Sequence, residues 1–184
     1  MPHRVADPDS IAVVVVDLQE AMFDGLEFPP VFEADRLERR AKDLLAWARR
    51  SGIKIAFVRH DGPPGHVLAP GAPGWGLRAS LDRQDDEPIF AKTVGNAFTD
   101  PSFRDWIDGS AISKIILLGA QTDQCVALTH AGALEHGLSV IVVADAHSTW
   151  DSNGQSAENI IEQYNHAFEA AGSTVVLVAR LIGG

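Results

Sequence analysis

The sequence predicts an α/β fold: a three-layer, open, mostly parallel sheet with helices on both faces. Short β-branched runs alternate with amphipathic helical patterns along the chain. The runs are apolar without strict alternation, which suits strands buried on both faces, as in a parallel sheet. Strands separated by helices imply right-handed crossovers and an open sheet covered on both sides. The 184 residues fit one domain, 1–184, since compact domains usually run to about 100–200 residues. Hydrophobic residues make up 46% of the chain, close to the globular average, so disorder is excluded as the dominant state.

The first strand run is Ile11–Val16. Before it, Met1 to Ser10 holds two prolines and two aspartates without an apolar segment, so no signal peptide is expected. Asp17 ends the run far short of the ~20 apolar residues of a membrane helix, and a cytoplasmic location with no membrane partner is the expectation. Leu37, Ala41, Leu44, Leu45 and Ala48 then recur at helical spacing, with Arg39, Arg40, Asp43 and Arg50 elsewhere around the wheel. Gly52 stops that helix. Ile53–Val58 is the second strand run. His60 to Glu87 is irregular and holds Gly62-Pro63-Pro64-Gly65 and Gly71-Ala72-Pro73-Gly74-Trp75-Gly76. A loop of that length in a compact domain is more often functional than incidental.

Pro88–Ala91 is a short strand run, and Asp100-Pro101 reads as an N-cap with proline at the first helical position. Lys114–Leu118 is the next strand, and a helix follows from Thr122 to about Gly137. Leu138–Ala144 is another strand. Ala157, Ile160, Ile161, Tyr164 and Phe168 make a second helical stripe, ended by Gly172, and Thr174–Val178 closes the series. There is no internal repeat and no linker.

Composition removes several functions. The 25 acidic residues against 15 basic give a charge of −10; nucleic acid and anionic membranes need clustered Lys and Arg instead. A single cysteine excludes an intramolecular disulfide and a Cys-rich zinc ribbon. The sequence has no Gly-x-x-x-x-Gly-Lys loop, no Gly-x-Ser-x-Gly elbow and no His-Glu-x-x-His. Gly71 to Gly76 lacks the spacing and the strand–helix setting of a dinucleotide loop.

Three residues carry chemistry. Ligands of open α/β sheets bind beyond the carboxyl ends of the strands, where Asp17 closes the first one; its bland reading is a carboxylate capping the next turn. Cys125 follows a strand and a Gly119-Ala120-Gln121 turn. With Thr122 as N-cap, it is the N3 residue, where free N–H groups and the helix dipole stabilise a thiolate. A free cysteine is also, and commonly, a small buried hydrophobe. Lys92 ends the short third strand. It is either solvated or, beside Asp17 and Cys125, a cation that lowers the thiol pKa and holds the carboxylate.

Val16-Asp17-Leu18-Gln19, Phe57-Val58-Arg59-His60, Ala91-Lys92, Gly119-Ala120-Gln121-Thr122-Asp123-Gln124-Cys125-Val126 and Val143-Ala144-Asp145-Ala146-His147-Ser148-Thr149 together resemble the isochorismatase-like cysteine hydrolases, in that family's motif order. Asp145 to Thr149 and Ile160 to Asn165 look most like the branch containing streptothricin hydrolase. The resemblance implies a Rossmann-like α/β sheet and a homo-oligomer, dimer or tetramer. It implies Cys125 as nucleophile, Asp17 as the base that takes its proton, and Lys92 as the orienting cation. It implies an oxyanion hole from the backbone N–H groups of Gln121 and Cys125, with a cis Ala120-Gln121 peptide. The implied reaction is metal-independent cleavage of a C–N bond in a small amide, lactam, ureide or carbamoyl compound through a Cys thioester, with no cofactor.

One departure concerns metal. Nicotinamidases of this superfamily bind one through Asp-x-His and a further His after the second strand. Arg59-His60-Asp61-Gly62-Pro63-Pro64-Gly65-His66 holds acceptable ligand types at a different spacing, so no metal site is expected, and His60 reads as a pocket residue. Gln19, Phe23, Trp75, Phe98 and Trp150 are further candidates for substrate-binding walls, with ordinary core as the alternative for each aromatic. The competing functions are an isochorismatase-type vinyl-ether hydrolase, a metal-assisted nicotinamidase, and a non-catalytic binding protein.

Overall fold

The structure, a computed structural model, describes residues 8–183; the expectation of no signal peptide in Met1 to Ser10 falls largely outside them. Six strands form one sheet: β1 (Ile11–Val16), β2 (Lys54–His60), β3 (Ile89–Lys92), β4 (Lys114–Ala120), β5 (Ser139–Ser148) and β6 (Thr174–Val176). Their order is β3-β2-β1-β4-β5-β6, and all five pairings are parallel. The chain runs outward from β1 to one edge and then returns to build the other half from β4. That reversal between β1 and β4 is the place where open α/β sheets bind ligands.

Five α-helices pack on the sheet: α1 (Ala34–Arg50), α2 (Pro101–Gly109), α3 (Ala127–Glu135), α4 (Ala157–Ala170) and α5 (Val178–Ile182). The period-2 alternation of each strand sends its side chains to two cores. On one face Val13, Val15, Ile55, Phe57, Ile116 and Leu118 pack with the Leu37, Ala41, Leu44, Leu45 and Ala48 stripe of α1. On the other, Val14, Val16, Val58, Ile115, Leu117 and Val142 meet Phe103 and Ile107 of α2, Ala133 of α3 and Phe168 of α4. No helix among the described residues is long and apolar enough to cross a membrane.

The boundaries of β2, β3 and β4 shift by one or two residues from expectation, and two further differences have a polar reason. β5 continues through Asp145 and His147 to Ser148, past the expected end at Ala144, because these polar residues find partners. Asp145 accepts from Val178 N–H at 2.8 Å and pairs with Arg40 at 3.0 Å. The same Asp145 contact starts α5, so the expected strand Thr174–Val178 stops at Val176. The helix that carries Cys125 starts at Thr122 as expected, but as a π-helical turn, Thr122–Val126, ahead of α3, and its N-cap is Gln121 rather than Thr122. Asp100 does cap α2, accepting from Ser102 N–H.

Candidate active site

Four strand ends converge at the carboxyl edge of the sheet. His60 and Lys92 are register partners at the ends of β2 and β3. Val16, just before Asp17, pairs with Val58 on one side and Gly119 on the other. The Asp17 backbone turns left-handed, with φ 50°, a conformation aspartate tolerates better than most residues; its N–H donates to Val58 O at 2.9 Å. Gly119 is required here. A Cβ on it would lie 2.1 Å from Val16 O, so only glycine lets β4 approach β1 this closely. The next peptide but one, Ala120–Gln121, is cis.

Lys92 joins the candidate pair. Its Nζ donates to Asp17 Oδ2 at 2.6 Å and to Cys125 Sγ at 3.3 Å. Asp17 is 2% and Lys92 3% exposed, which decides between the readings of Lys92: it is not a solvated surface lysine. Cys125 is half-buried in the π-turn. The Gln121 carbonyl accepts from Gln124 N–H at 3.2 Å and Val126 N–H at 3.1 Å, with Cys125 between them. Such π-turns within helices recur at functional sites.

The electrostatics correct one expectation. Burial, and then the Asp17 carboxylate, push the Cys125 thiol up to about 12, and Lys92 offsets them only in part. Lys92 does pull in the expected direction, but it neutralises Asp17 at the same time, and desolvation wins. Burial likewise raises the Asp17 carboxyl against the opposing pull of Lys92. Burial and the Lys92 charge hold His60 below its ordinary value, so its ring is neutral at physiological pH. The resting site therefore holds a thiol beside its base.

The Asp17 carboxylate, the His60 ring and Cys125 Sγ each offer an atom within 4.8 Å of the other two. Asp, His and Cys can ligate a divalent metal. Here, however, the Lys92 ammonium binds two of the three, and a dication among them would meet that charge at close range. The donor set fits a Lys-held triad rather than a metal centre. The nicotinamidase-like alternative fares no better among its own residues. Asp61 Oδ1 accepts from Trp75 Nε1–H at 2.7 Å and pairs with Arg59 at 3.2 Å, while His66 Nδ1 accepts from Leu68 N–H at 3.1 Å.

The expected wall residues divide. Gln19 is fully buried, and its amide faces backbone instead of a ligand. Oε1 accepts from His60 N–H at 3.0 Å, and Nε2 donates to His60 O at 3.0 Å and Trp75 O at 2.7 Å. Phe98 is core, edge-on to Phe103 with centroids 5.0 Å apart, because the turn that Asn96 caps points it inward. Trp150 donates to Pro29 O and lines a cavity of about 540 Å³ with Phe28, Pro30 and Phe32, which includes none of Asp17, Lys92 and Cys125. Phe23 lies under the Arg78 guanidinium, 5.0 Å from its ring centre. Trp75 is stacked by Arg59 at 3.8 Å, beside His60.

Sequence reasoning missed the support behind the cysteine turn. Asn165 Nδ2 donates to Ala144 O at 3.3 Å, so its Oδ1 faces His147 Nε2 at 2.9 Å. Nε2 thus carries the proton and Nδ1 accepts from Thr122 Oγ1–H at 2.9 Å. Burial lowers the His147 pKa to about 4, which keeps this arrangement neutral. Thr149 Oγ1 also donates to Asp123 Oδ1 at 2.6 Å. Periodicity carries no signal for such pairs; only polar residues persisting in an apolar strand hint at them. A cavity of about 470 Å³ behind them, lined by Glu33, Arg36, Asp145, His147, Glu162 and Asn165 among others, contains no triad residue.

Residues 11–175 match the isochorismatase domain family. Two streptothricin hydrolases from Streptomyces noursei are each 36% identical over 140 residues, covering 76% of this chain and 55% and 50% of theirs. The chain thus spans about half the length of these curated relatives. A solved cysteine hydrolase from Pseudomonas syringae pv. phaseolicola superposes with a TM-score of 0.89 at 20% identity, over 96% of this chain and 92% of that one, which is a likeness of fold.

Proposed function

The chain belongs to the isochorismatase family, and from that premise we propose that it is a cysteine hydrolase cleaving a C–N bond of a small amide, lactam, ureide or carbamoyl compound. The observation that carries this reading is Lys92 Nζ bridging Asp17 Oδ2 and Cys125 Sγ, with Asp17 and Lys92 both buried. The likeness to streptothricin hydrolases and the retained cysteine favour an amide over a vinyl ether.

Asp17 takes the thiol proton as Cys125 Sγ attacks the carbonyl carbon, which supplies on demand the thiolate that the resting site lacks. Lys92 keeps the carboxylate oriented and balances the charge that moves onto it. The oxyanion of the tetrahedral intermediate is received by the backbone N–H groups of Gln121 and Cys125, positioned at the cis peptide and in the π-turn. Collapse breaks the C–N bond, and Asp17 passes its proton to the departing nitrogen. Water, deprotonated by Asp17, then hydrolyses the thioester and restores the thiol.

No cofactor enters this scheme, and the substrate is a small molecule. Association into a dimer or tetramer belongs to the same reading, and the exposed Leu26, Phe28 and Phe32 offer apolar surface for it. The test compares the wild type with Cys125→Ala and Cys125→Ser on a panel of amides, lactams and ureides, following ammonia or amine release. Activity should be lost in the alanine variant and fall at least a thousandfold in the serine variant. Full activity in Cys125→Ala removes the nucleophile. Pyruvate release from isochorismate that survives Cys125→Ala and is lost in Asp17→Ala moves the assignment to vinyl-ether hydrolysis.

A further inference from the structure

Two buried polar atoms among the described residues have no hydrogen-bond partner, Asp17 Oδ1 and His60 Nδ1. Both belong to the same cluster, within 4.8 Å of Cys125 as groups. Buried polar atoms are nearly always paired, so an orphaned pair in one place points to a missing complement. Asp17 Oδ2 is held by Lys92, and the Cys125 thiol is the carboxylate's other neighbour, so Oδ1 has no fixed partner of its own. No hydrogen bond joins Oδ1 to the imidazole; the carboxylate oxygen is an acceptor, and Nδ1 is one in the tautomer that carries the ring proton on Nε2. In that tautomer, a group with N–H bonds complements the site.

His60, the last residue of β2, is also fixed by more than its strand pairing. Gln19, fully buried, accepts from its N–H and donates to its carbonyl, and the same amide nitrogen holds Trp75 O. Gln19 lies two residues after Asp17, so one short segment sets the base and clamps the backbone of the histidine. Lys92 pairs with His60 in register on the neighbouring strand, and its charge disfavours an imidazolium there.

We infer that His60 is a further catalytic residue, whose Nδ1 accepts an N–H of the scissile nitrogen while Asp17 delivers its proton to that nitrogen's lone pair. The inference rests on the C–N hydrolase reading above and adds to it a substrate requirement: the leaving nitrogen bears at least one hydrogen. In the tetrahedral intermediate the nitrogen is pyramidal, and rotation about its C–N bond can turn its lone pair away from Asp17. An N–H held by His60 stops that rotation. The step then balances without a proton on the imidazole. The Asp17 O–H bond breaks, an N–H bond forms, the C–N bond breaks, and the oxyanion electrons restore C=O in the Cys125 thioester.

The test uses two leaving groups on one acyl group: the best amide from the panel, and the methyl ester of the same acid, which has no N–H to donate. His60→Ala should lower kcat/KM on the amide roughly tenfold or more, the scale of one hydrogen bond and an acceptor lost, while the ester stays within about threefold. His60→Asn, whose side-chain oxygen falls near Nδ1, should recover most of the amide activity. Equal losses on amide and ester, an unchanged amide rate in His60→Ala, or an ester that the wild type leaves intact each overturn the role. Chelator added to the wild type should change neither rate; a loss on the amide alone assigns His60 to a metal and overturns it too. Cys125→Ala separates the two readings: if it still cleaves the amide, the cysteine mechanism itself fails, whatever His60 does. A wild type inactive on every amide overturns both.

Discussion

At Cys125 two influences of opposite sign meet, and their balance sets the chemistry. Lys92 at 3.3 Å favours a thiolate; burial and Asp17 disfavour it and prevail, leaving the thiol at about 12 against an ordinary 9.0. The site thus holds far less thiolate than a free cysteine has at neutral pH. Alkylation by iodoacetamide at pH 7 should therefore be slower than that of a small thiol. It should climb with pH through the window from 9 to 12 as the thiol titrates. The rate followed by mass spectrometry checks this, and a fast, pH-independent reaction near neutrality contradicts it. The sign also has a consequence for stability. A group with a raised folded-state pKa favours the native state fully below 9 and loses that contribution as pH rises through 12. An inert thiol at pH 7 is thus compatible with a nucleophile that is deprotonated only with substrate in place.

Among the elements, the apolar runs locate the strands, and burial on both faces leaves the clearest β-branched signature in the central ones, as in Ile11–Val16, while the edge strands β3 and β6 are partly exposed. The stripe from Leu37 to Ala48 locates α1 for the same reason in helical form. What the periodicity does not carry is polar fastening. Nothing in the pattern says that Asp145 accepts from the first N–H of α5, so Val178 reads as strand, or that His147 holds Thr122. Gln19 is the strongest case. Its position after Asp17 suggests a ligand contact, yet its amide joins the end of β2 to the irregular stretch His60–Glu87. Gln19→Ala leaves His60 N–H, His60 O and Trp75 O unpaired, each costing about 1–3 kcal/mol if it stays buried. The variant should lose roughly 2–4 kcal/mol of stability by urea unfolding, and limited proteolysis should open the His60–Glu87 stretch first. Wild-type stability in Gln19→Ala would mean that the clamp is redundant.

For the molecule as a whole, the strand order explains why residues as distant as Asp17, Lys92 and Cys125 were readable as one site. Each ends or follows a strand, parallel strands share one carboxyl edge, and the reversal between β1 and β4 opens a crevice there. Topology thus converts three sequence positions into one cluster. The wall of the site is a different matter: Phe98 and Trp150 follow elements that turn inward or away, and aromatic character alone does not reveal which way a side chain faces. The net charge of −10 excludes partners without selecting a substrate. The proposed association has a direct readout in the mass by light scattering, two or four times the 19.8 kDa of the chain. A single-chain mass at all concentrations would contradict it.

The central claim, a thioester on Cys125, is tested most directly by acid-quenching the enzyme during turnover of an amide it cleaves and measuring its intact mass. The mechanism predicts a species heavier by the acyl group, located on the peptide containing Cys125, that disappears as substrate is exhausted and is missing in Cys125→Ala. Continued amine release with no adduct on Cys125, or undiminished turnover by the Cys125→Ala variant, would contradict it.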